Sequence, residues 1–195
     1  MPASADEVRD DVPEVVIEPR TRLPRIDLRS VWRYRDVLWL LATRDVKVRY
    51  KQTLLGGAWA ILQPLSKMIV MAIIFGHLAR LPSDGLPYPL FVFAGLLPWQ
   101  LFSQVTLQSS ASVSANEALI TKVWFPRIIL PLSAALPPLL DASIALVLLL
   151  GLMAWYGMAP GASFLAAPLF LLLAAGSALA IGLWFAALCA LYRAL

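Results

Sequence analysis

The sequence predicts an all-α membrane protein, a polytopic helical bundle, and three observations point to that class. Of its 195 residues, 60% are hydrophobic and only 14% are charged. The mean hydropathy is +0.75, whereas a soluble domain carries about 25% charged residues. The apolar residues also run together into four stretches, each long enough for the roughly 20 residues that cross a bilayer. We therefore expect four membrane-spanning helices.

The part of the chain that precedes the first apolar stretch consists of an acidic segment followed by a basic segment. Residues 1–19 carry six acids, one base and three prolines, which predicts a disordered acidic tail that continues as a linker to residue 29. Residues 20–51 carry ten bases and three acids. Because this basic belt leads directly into the membrane, anionic lipid headgroups are a better partner for it than nucleic acid.

A helix is expected over residues 30–53, ahead of the membrane region at residues 54–195. Apolar and basic residues alternate there at helical spacing, which is typical of an amphipathic helix lying in the headgroup layer. A soluble helix packed on a partner is the alternative. The candidate residues of this interfacial helix are Trp32, Arg35, Arg44, Lys47 and Arg49.

Within the membrane region we expect spans at about residues 54–78, 88–113, 128–156 and 164–192. With a cytoplasmic N-terminus, thirteen bases lie in segments on the cytoplasmic side, and only Arg80 lies in an external loop. Positive charge is enriched in cytoplasmic loops. The sequence therefore predicts a multi-pass protein with its N-terminus inside.

Polar side chains recur inside the predicted spans. Gln100, Gln104 and Gln108 stand four residues apart, so they share one slowly drifting helix face. Since amides facing lipid are costly, this stripe either forms interhelical hydrogen bonds or lines a wet path for an uncharged substrate such as a sugar. Asp141 is a functional candidate because it is ionisable and lies in a span. Lys67 is the partner we consider for it, unless Lys67 snorkels to the interface.

The fourth span carries small residues at every fourth position. Such a stripe lets another helix approach closely, so we expect a packing role without chemistry. Its members are Ala174, Ala178, Gly182, Ala186 and Ala190.

Few residues suggest catalysis. His77 is the only histidine, so the histidine pair of many metal sites is missing, and Cys189 is the only cysteine. No Gly-rich loop ends in Gly-Lys-Ser/Thr, the arrangement that cradles nucleotide phosphates. We expect no enzymatic activity, no metal site and no cofactor in this chain. Any ATP would be bound by a partner subunit.

Four stretches, in order, carry a resemblance to a known family. They read RDVKVRYKQTLLGGAWAILQP at 44–64, PYPLFVFAGLLPWQLF at 87–102, NEALITKVWFPRIILPL at 116–132 and LLDASIALVLLL at 139–150. Together they resemble the permease subunits of ABC exporters for O-antigen, capsule and teichoic acid, which are type-2 ABC transporters. The resemblance covers about residues 30–187.

This resemblance implies a homodimer of permease chains with two copies of a nucleotide-binding ATPase subunit. Such proteins move a lipid-linked polysaccharide out across the bacterial inner membrane. The helix at residues 30–53 resembles the amphipathic gate helix of the family. The substrate-path candidates, several of them placed where the family would present groups to a glycan, are Trp59, Gln100, Phe102, Gln104, Gln108 and Asp141.

The segment at residues 116–126 resembles the cytoplasmic coupling helix through which the family contacts its ATPase. Residues 114–127 are the only substantial cytoplasmic loop between spans, and they mix apolar with charged side chains. That mixture suits docking into a protein groove. The ATPase-coupling candidates are Asn116, Leu119, Ile120, Lys122, Trp124, Phe125, Pro126 and Arg127.

The resemblance implies six spans, whereas this sequence contains four, and the match fades near residue 189. A truncated or frameshifted product, a fragment, or a half completed by another chain would each explain the difference. Alternative functions are a drug or lipid ABC exporter, a non-transporting fragment, and a membrane-embedded enzyme acting on lipid-linked sugar. The enzyme would need a catalytic cluster at one face, and the external loops offer Asp84 alone.

Overall fold

The computed structural model describes residues 28–51, 58–78, 82–83, 85–122 and 125–193. The predicted acidic tail, Arg80, Asp84 and Trp124 lie outside these residues. In the described parts no β-strand occurs, and the all-α prediction is confirmed. The α-helices are α1 (Leu28–Arg33), α2 (Arg35–Lys51), α3 (Trp59–Met71), α4 (Tyr88–Ala115), α5 (Glu117–Lys122), α6 (Ile129–Trp155) and α7 (Ala167–Arg193).

Among the described residues, four helical segments are long and apolar enough to cross a membrane, as the sequence predicted. α3 continues as a π-helix at Ala72–Leu78, and a 3₁₀ segment at Ala162–Ala166 leads into α7. The last three spans begin and end within a few residues of their predicted limits. The four spans are Trp59–Leu78, Tyr88–Ala115, Ile129–Trp155 and Phe164–Cys189.

α4 is the central helix of the bundle and packs against α6 and α7. Its buried apolar residues recur at intervals of three or four, so they form one continuous face. Phe93 and Val105 on this face are 1% and 0% exposed. Facing them, α6 contributes small residues such as Ala135 and Ala142. The core therefore lies between α4 and α6 and extends to α7.

The small-residue stripe of α7 is the surface on which α4 packs. Ala178 and Ala186 are buried, and Thr106 Oγ1 donates to the Ala178 carbonyl at 3.4 Å. A Cβ atom on Gly182 would lie only 2.7 Å from the Ser109 Cβ. The predicted close approach of a helix is thus confirmed at these positions.

The N-terminal region is two helices rather than the single helix expected over residues 30–53. A turn at Tyr34 separates α1 from α2. α2 then runs alongside the first half of α6, because Leu41 packs against Ile129 while Tyr50 reaches Asp141. Ile129 and Asp141 are twelve positions apart, or about 18 Å along a helix. α2 thus follows the bundle lengthwise, which differs from the expected helix lying flat across the ends of the spans.

Candidate functional site

An ion pair between α2 and α6 forms the centre of the polar site. Arg49 Nη2 lies 2.7 Å from Asp141 Oδ2, and the two side chains are 28% and 22% exposed. The Tyr50 hydroxyl donates to the other carboxylate oxygen, Oδ1, at 2.5 Å. Charge-assisted hydrogen bonds of this length are roughly twice as strong as neutral ones. Both oxygens of Asp141 are therefore satisfied by consecutive residues of α2.

Arg49 also binds the amide stripe of α4. Its Nη2 donates to Gln104 Oε1 at 2.7 Å. With the Gln108 amide oriented to satisfy both of its ends, its oxygen accepts from Arg49 Nη1 at 2.8 Å and its nitrogen donates to the Ala134 carbonyl at 3.1 Å. A planar guanidinium can serve several acceptors at once. One side chain thus links α2, α4 and α6.

The expectation that Lys67 pairs with Asp141 is wrong. Lys67 Nζ instead donates to Gln100 Oε1 at 3.1 Å, at the boundary of α3 and α4. The physical reason is that α2 runs alongside α6. It therefore brings Arg49 and Tyr50 to the Asp141 carboxylate, although both residues precede the first apolar stretch. Gln100 therefore belongs to a different contact from Gln104 and Gln108.

All three amides of the stripe make contacts between helices. Interhelical hydrogen bonding was one of the two roles considered for the stripe, and a wet path for substrate was the other. A cavity of about 40 Å³ lies between α3, α4 and α6, with Gln63, Gln100, Gln104 and Asp141 among its lining residues. That volume holds one or a few water molecules, and it is far too small for a sugar ring. The cavity beside Asp141 is therefore not an open glycan path in this conformation.

Asn116 fixes the start of α5 and ties it to α2. Its backbone carbonyl accepts hydrogen bonds from the Leu119 and Ile120 amides, at 3.0 and 3.2 Å. Its side-chain oxygen accepts from Arg44 Nη2 at 2.8 Å, and its side-chain nitrogen donates to the Ser112 carbonyl at 2.9 Å. Since Arg44 also pairs with the neighbouring Asp45 at 2.9 Å, the guanidinium is held in place.

The apolar coupling candidates that the structure describes pack against the chain itself. Leu119 and Ile120 are half-buried against a cluster that contains Phe125, of which 7% is exposed, together with Leu41 of α2. They were expected to dock on a partner, and this packing covers part of their surface. The cause is the short α5, which turns one side towards α2 and α6. The coupling candidates that the structure leaves exposed are Lys122 and Arg127, and Pro126 is half-buried.

The candidates of the interfacial helix fall on different faces. Trp32 is 72% exposed, and the Arg35 guanidinium lies 5.5 Å from its ring centroid. Lys47 is exposed, whereas Arg49 turns inward to the ion pair. Arg49 is therefore part of the polar site and does not belong to the solvent-facing or lipid-facing surface of α2.

The aromatic candidates are separate from the ion pair. Trp59 is 46% exposed at the start of α3. Phe102 stacks on Trp99, with ring centroids 6.4 Å apart and an interplanar angle of 20°. Sequence reasoning missed Trp99 and Tyr50, since neither belongs to a periodic polar stripe. The signal for Tyr50 was its place beside Arg49 in the first family-like stretch.

Tyr50 offers a test of the polar site. Burial, together with the hydrogen bond to Asp141, raises the pKa of the Tyr50 phenol to about 12 from an ordinary value of 10.0. Because the folded pKa is raised, the stabilisation is complete below pH 10 and is lost as pH rises through about 12. We expect Tyr50→Phe to lower the free energy of unfolding by about 1–2 kcal/mol between pH 7 and 9. This difference should vanish near pH 12.

The readout is ultraviolet absorbance of tyrosinate during an alkaline titration, combined with unfolding at each pH. The wild type should show one tyrosine that ionises near pH 12, and Tyr50→Phe should lack it. Tyr156→Phe, at the exposed end of α6, is the matched control and should leave that late phase in place. A Tyr50→Phe protein that keeps the late phase would show that Tyr50 does not contact the carboxylate.

These features define the class of protein. It is a multi-pass helical membrane protein in which a basic helix outside the spans is tied to the bundle by an ion pair and several amides. The family model described as ABC-2 type transporter matches residues 36–195. The chain belongs to the ABC-2 type transporter family, and the family predicted from its sequence motifs is confirmed.

Curated relatives agree with the family. The O-antigen export system permease protein RfbA of Myxococcus xanthus is 35% identical over 134 residues, which cover 68% of this chain and 50% of that protein. A protein of the same name from Klebsiella pneumoniae is 34% identical over 130 residues, covering 67% of this chain and 49% of its own length. The polysialic acid transport protein KpsM of Escherichia coli is 30% identical over 79 residues, or 40% of this chain and 31% of that protein. The chain spans about half the length of the O-antigen export permeases that it matches.

Proposed function

We propose that this chain is the transmembrane permease part of an ABC exporter that moves a lipid-linked polysaccharide outward across the inner membrane. The observation that carries the proposal is the similarity to O-antigen export permeases over two thirds of the chain. The protein acts as a homodimer, and a separate ATPase chain supplies the energy. ATP is bound by that partner, and anionic lipids surround the basic N-terminal region.

The arrangement of α2 and α5 supports an ATPase-facing end of the bundle. The middle of α2 and the start of α5 lie at the end where α4 stops, since Arg44 of α2 contacts Asn116 directly before α5. Two exposed basic side chains lie beside this contact, Lys122 at the end of α5 and Arg127 shortly after it. We call these two residues, together with α5, the α5 corner. α7 runs parallel to α4, because Ala178 contacts Thr106 and Gly182 contacts Ser109. The C-terminal end of α7 therefore lies at this same end.

This grouping and the charge bias support a cytoplasmic N-terminus. The first half of α2, helix α5 and the C-terminal end of α7 all share one end of the bundle. Positive charge in short loops favours the cytoplasmic side. In this proposal the N-terminus, α5 and the start of α2 lie on the cytoplasmic side, and α2 runs from there alongside the first half of α6.

A permease for drugs or small lipids is the second candidate. The family match alone is compatible with it. The named relatives favour the polysaccharide, because three proteins with this sequence pattern are named for O-antigen export or polysialic acid transport. Accumulation of polymer inside a strain that lacks the gene would favour polysaccharide export, and normal surface polymer would favour the second candidate.

The ATPase contact is testable at the exposed basic residues of the α5 corner. Lys122→Glu combined with Arg127→Glu should reduce co-purification with the ATPase subunit by at least about tenfold, since two charge reversals replace attraction by repulsion. These side chains are exposed, so membrane insertion and the fold should be unaffected. The measurement is pull-down of the ATPase from detergent-solubilised membranes, with the amount of permease matched.

The control is Arg80→Glu, a charge reversal in the loop that the sequence places on the opposite side of the membrane. It should leave co-purification unchanged. Equal amounts of ATPase with the double variant and the wild type would argue against a coupling role for the α5 corner. Failure of the wild-type chain to retain any ATPase would argue against the proposed exporter as a whole.

A further inference from the structure

Lys67 is a cation within a span that lacks a counter-charge among the described residues. It is the ninth residue of the twenty that form the first span. Its Nζ donates to the neutral amide of Gln100, and it takes part in none of the ion pairs found in the described residues. A lysine at this depth is costly unless it faces water or an anionic group. Asp141, by contrast, is already neutralised by Arg49.

The surroundings of Lys67 form an open groove between α3 and α4. The groove has a volume of about 380 Å³, and Lys67 lines it together with Ser66, Trp99, Gln100 and Ser103 on its polar and aromatic side and with Val70, Met71 and Leu96 on its apolar side. A volume in this range is typical of small-molecule sites. This open groove is much larger than the cavity beside Asp141.

The groove offers three kinds of interaction to one ligand. The Ser66 and Ser103 hydroxyls donate to carbonyls of their own helices, at 2.9 and 3.2 Å, which leaves their oxygens free to accept. Trp99 is 65% exposed and is backed by Phe102. The electron-rich face of an aromatic ring attracts the C–H groups of a sugar ring. The ammonium group of Lys67 adds a strong donor that carries positive charge.

We propose that this groove is a subsite for an acidic sugar unit of the exported glycan. Trp99 stacks on the ring, and the Lys67 ammonium pairs with the carboxylate or phosphate that the unit carries. A neutral sugar would use Trp99 and the hydroxyls but would leave the lysine without a counter-charge. A hydrocarbon chain would leave both the lysine and the hydroxyls unsatisfied. This inference rests on the proposed export function, and it adds the charge class of the substrate.

The test uses the full chain in phosphatidylcholine nanodiscs and measures binding by titration calorimetry. The probes are an α2,8-linked sialic acid tetramer, which is acidic, and maltotetraose, which is neutral. We expect the wild type to bind the acidic tetramer about tenfold more tightly, as a single charge-assisted contact would give. Lys67→Gln should bring the two affinities within about twofold of each other, and Lys67→Arg should keep the preference.

Two further variants separate the parts of the site. Trp99→Ala should weaken both tetramers by several-fold without changing their ratio, because stacking does not depend on charge. Lys51→Gln, which removes an exposed lysine at the end of α2, is the matched control and should change neither affinity. Circular dichroism of each variant in nanodiscs verifies that the helices are retained.

Two outcomes would overturn the subsite. Equal affinity of the wild type for both tetramers, or an acidic preference that survives in Lys67→Gln, would remove Lys67 from recognition. Loss of the preference when the nanodiscs contain phosphatidylglycerol would assign Lys67 to a lipid headgroup. In each case a chain that still co-purifies with its ATPase would leave the proposed exporter intact, so the two failures are distinguishable.

Discussion

Replacing Arg49 by glutamine should lower the free energy of unfolding by about 2 kcal/mol. Loss of one partner from a buried ion pair is strongly destabilising, whereas exposed pairs contribute little, and this pair is intermediate in exposure. Glutamine also cannot reach the carboxylate and both amides at once. The measurement is SDS titration of the purified chain in mixed micelles, followed by circular dichroism. Asp141→Asn should have a similar effect.

A double-mutant cycle separates the pair from its surroundings. In Arg49→Gln combined with Asp141→Asn, no unpaired charge remains, so the double variant should be more stable than the sum of the single losses predicts, by about 1–2 kcal/mol. Arg49→Lys keeps the positive charge but loses the planar guanidinium that binds several acceptors. Its free energy of unfolding should therefore lie between those of the wild type and Arg49→Gln. Strictly additive losses would mean that the contact between Arg49 and Asp141 contributes nothing to stability.

The number and type of the membrane-spanning helices could be predicted from the sequence because both are local properties. A run of twenty or more apolar residues has to hydrogen-bond within itself in lipid, so its length fixes a helical span. The small-residue stripe of α7 was also readable, since Ala178, Gly182 and Ala186 repeat with the helical period. Hydropathy did not specify which helix would pack there, because that choice depends on the three-dimensional arrangement of the spans.

The partners of the polar residues could not be predicted for the same reason. Lys67 was considered as the ion-pair partner of Asp141 because both residues lie in apolar stretches. The partner is instead Arg49, which lies on a helix that the sequence analysis assigned to the membrane interface. α2 packs along α6 through a buried cluster that contains Leu41 and Ile129. No local sequence pattern predicts that these two residues meet. The stripe of Gln100, Gln104 and Gln108 was located correctly, yet its members bind two different cations.

The candidate coupling segment shows a further limit of pattern reading. An apolar side chain in a short loop suits a partner surface and the protein's own core equally well. Leu119 and Ile120 proved to cover the cluster around Phe125 and Leu41, so among the described candidates the exposed ones are the charged Lys122 and Arg127. This changes the useful experiment, because a variant of Leu119 would disturb folding as well as docking, whereas Lys122 and Arg127 are exposed.

The tight crossing of α4 and α7 leads to the second large effect that we expect. In Gly182→Ala the added Cβ would lie 2.7 Å from the Ser109 Cβ and 3.2 Å from the Thr106 carbonyl oxygen. Neither neighbour is the flexible end of a side chain, so the helices have to separate. We expect a loss of about 2 kcal/mol in the free energy of unfolding, within the range of overpacked cores. Gly182→Leu should be worse and should lower the folded yield.

A compensating variant and a matched control make this prediction specific. Ser109→Gly combined with Gly182→Ala leaves a single Cβ at the crossing, so it should recover part of the loss, although the hydrogen bond from Ser109 to the Pro131 carbonyl is removed. Gly176→Ala lies on the same helix with nothing within 4 Å of the added Cβ, and it should be neutral or slightly stabilising. If Gly182→Ala were as stable as Gly176→Ala, α4 and α7 would not cross at Gly182. The polar site depends on that crossing indirectly, because the face of α4 that binds Arg49 is oriented by the face that packs on α7.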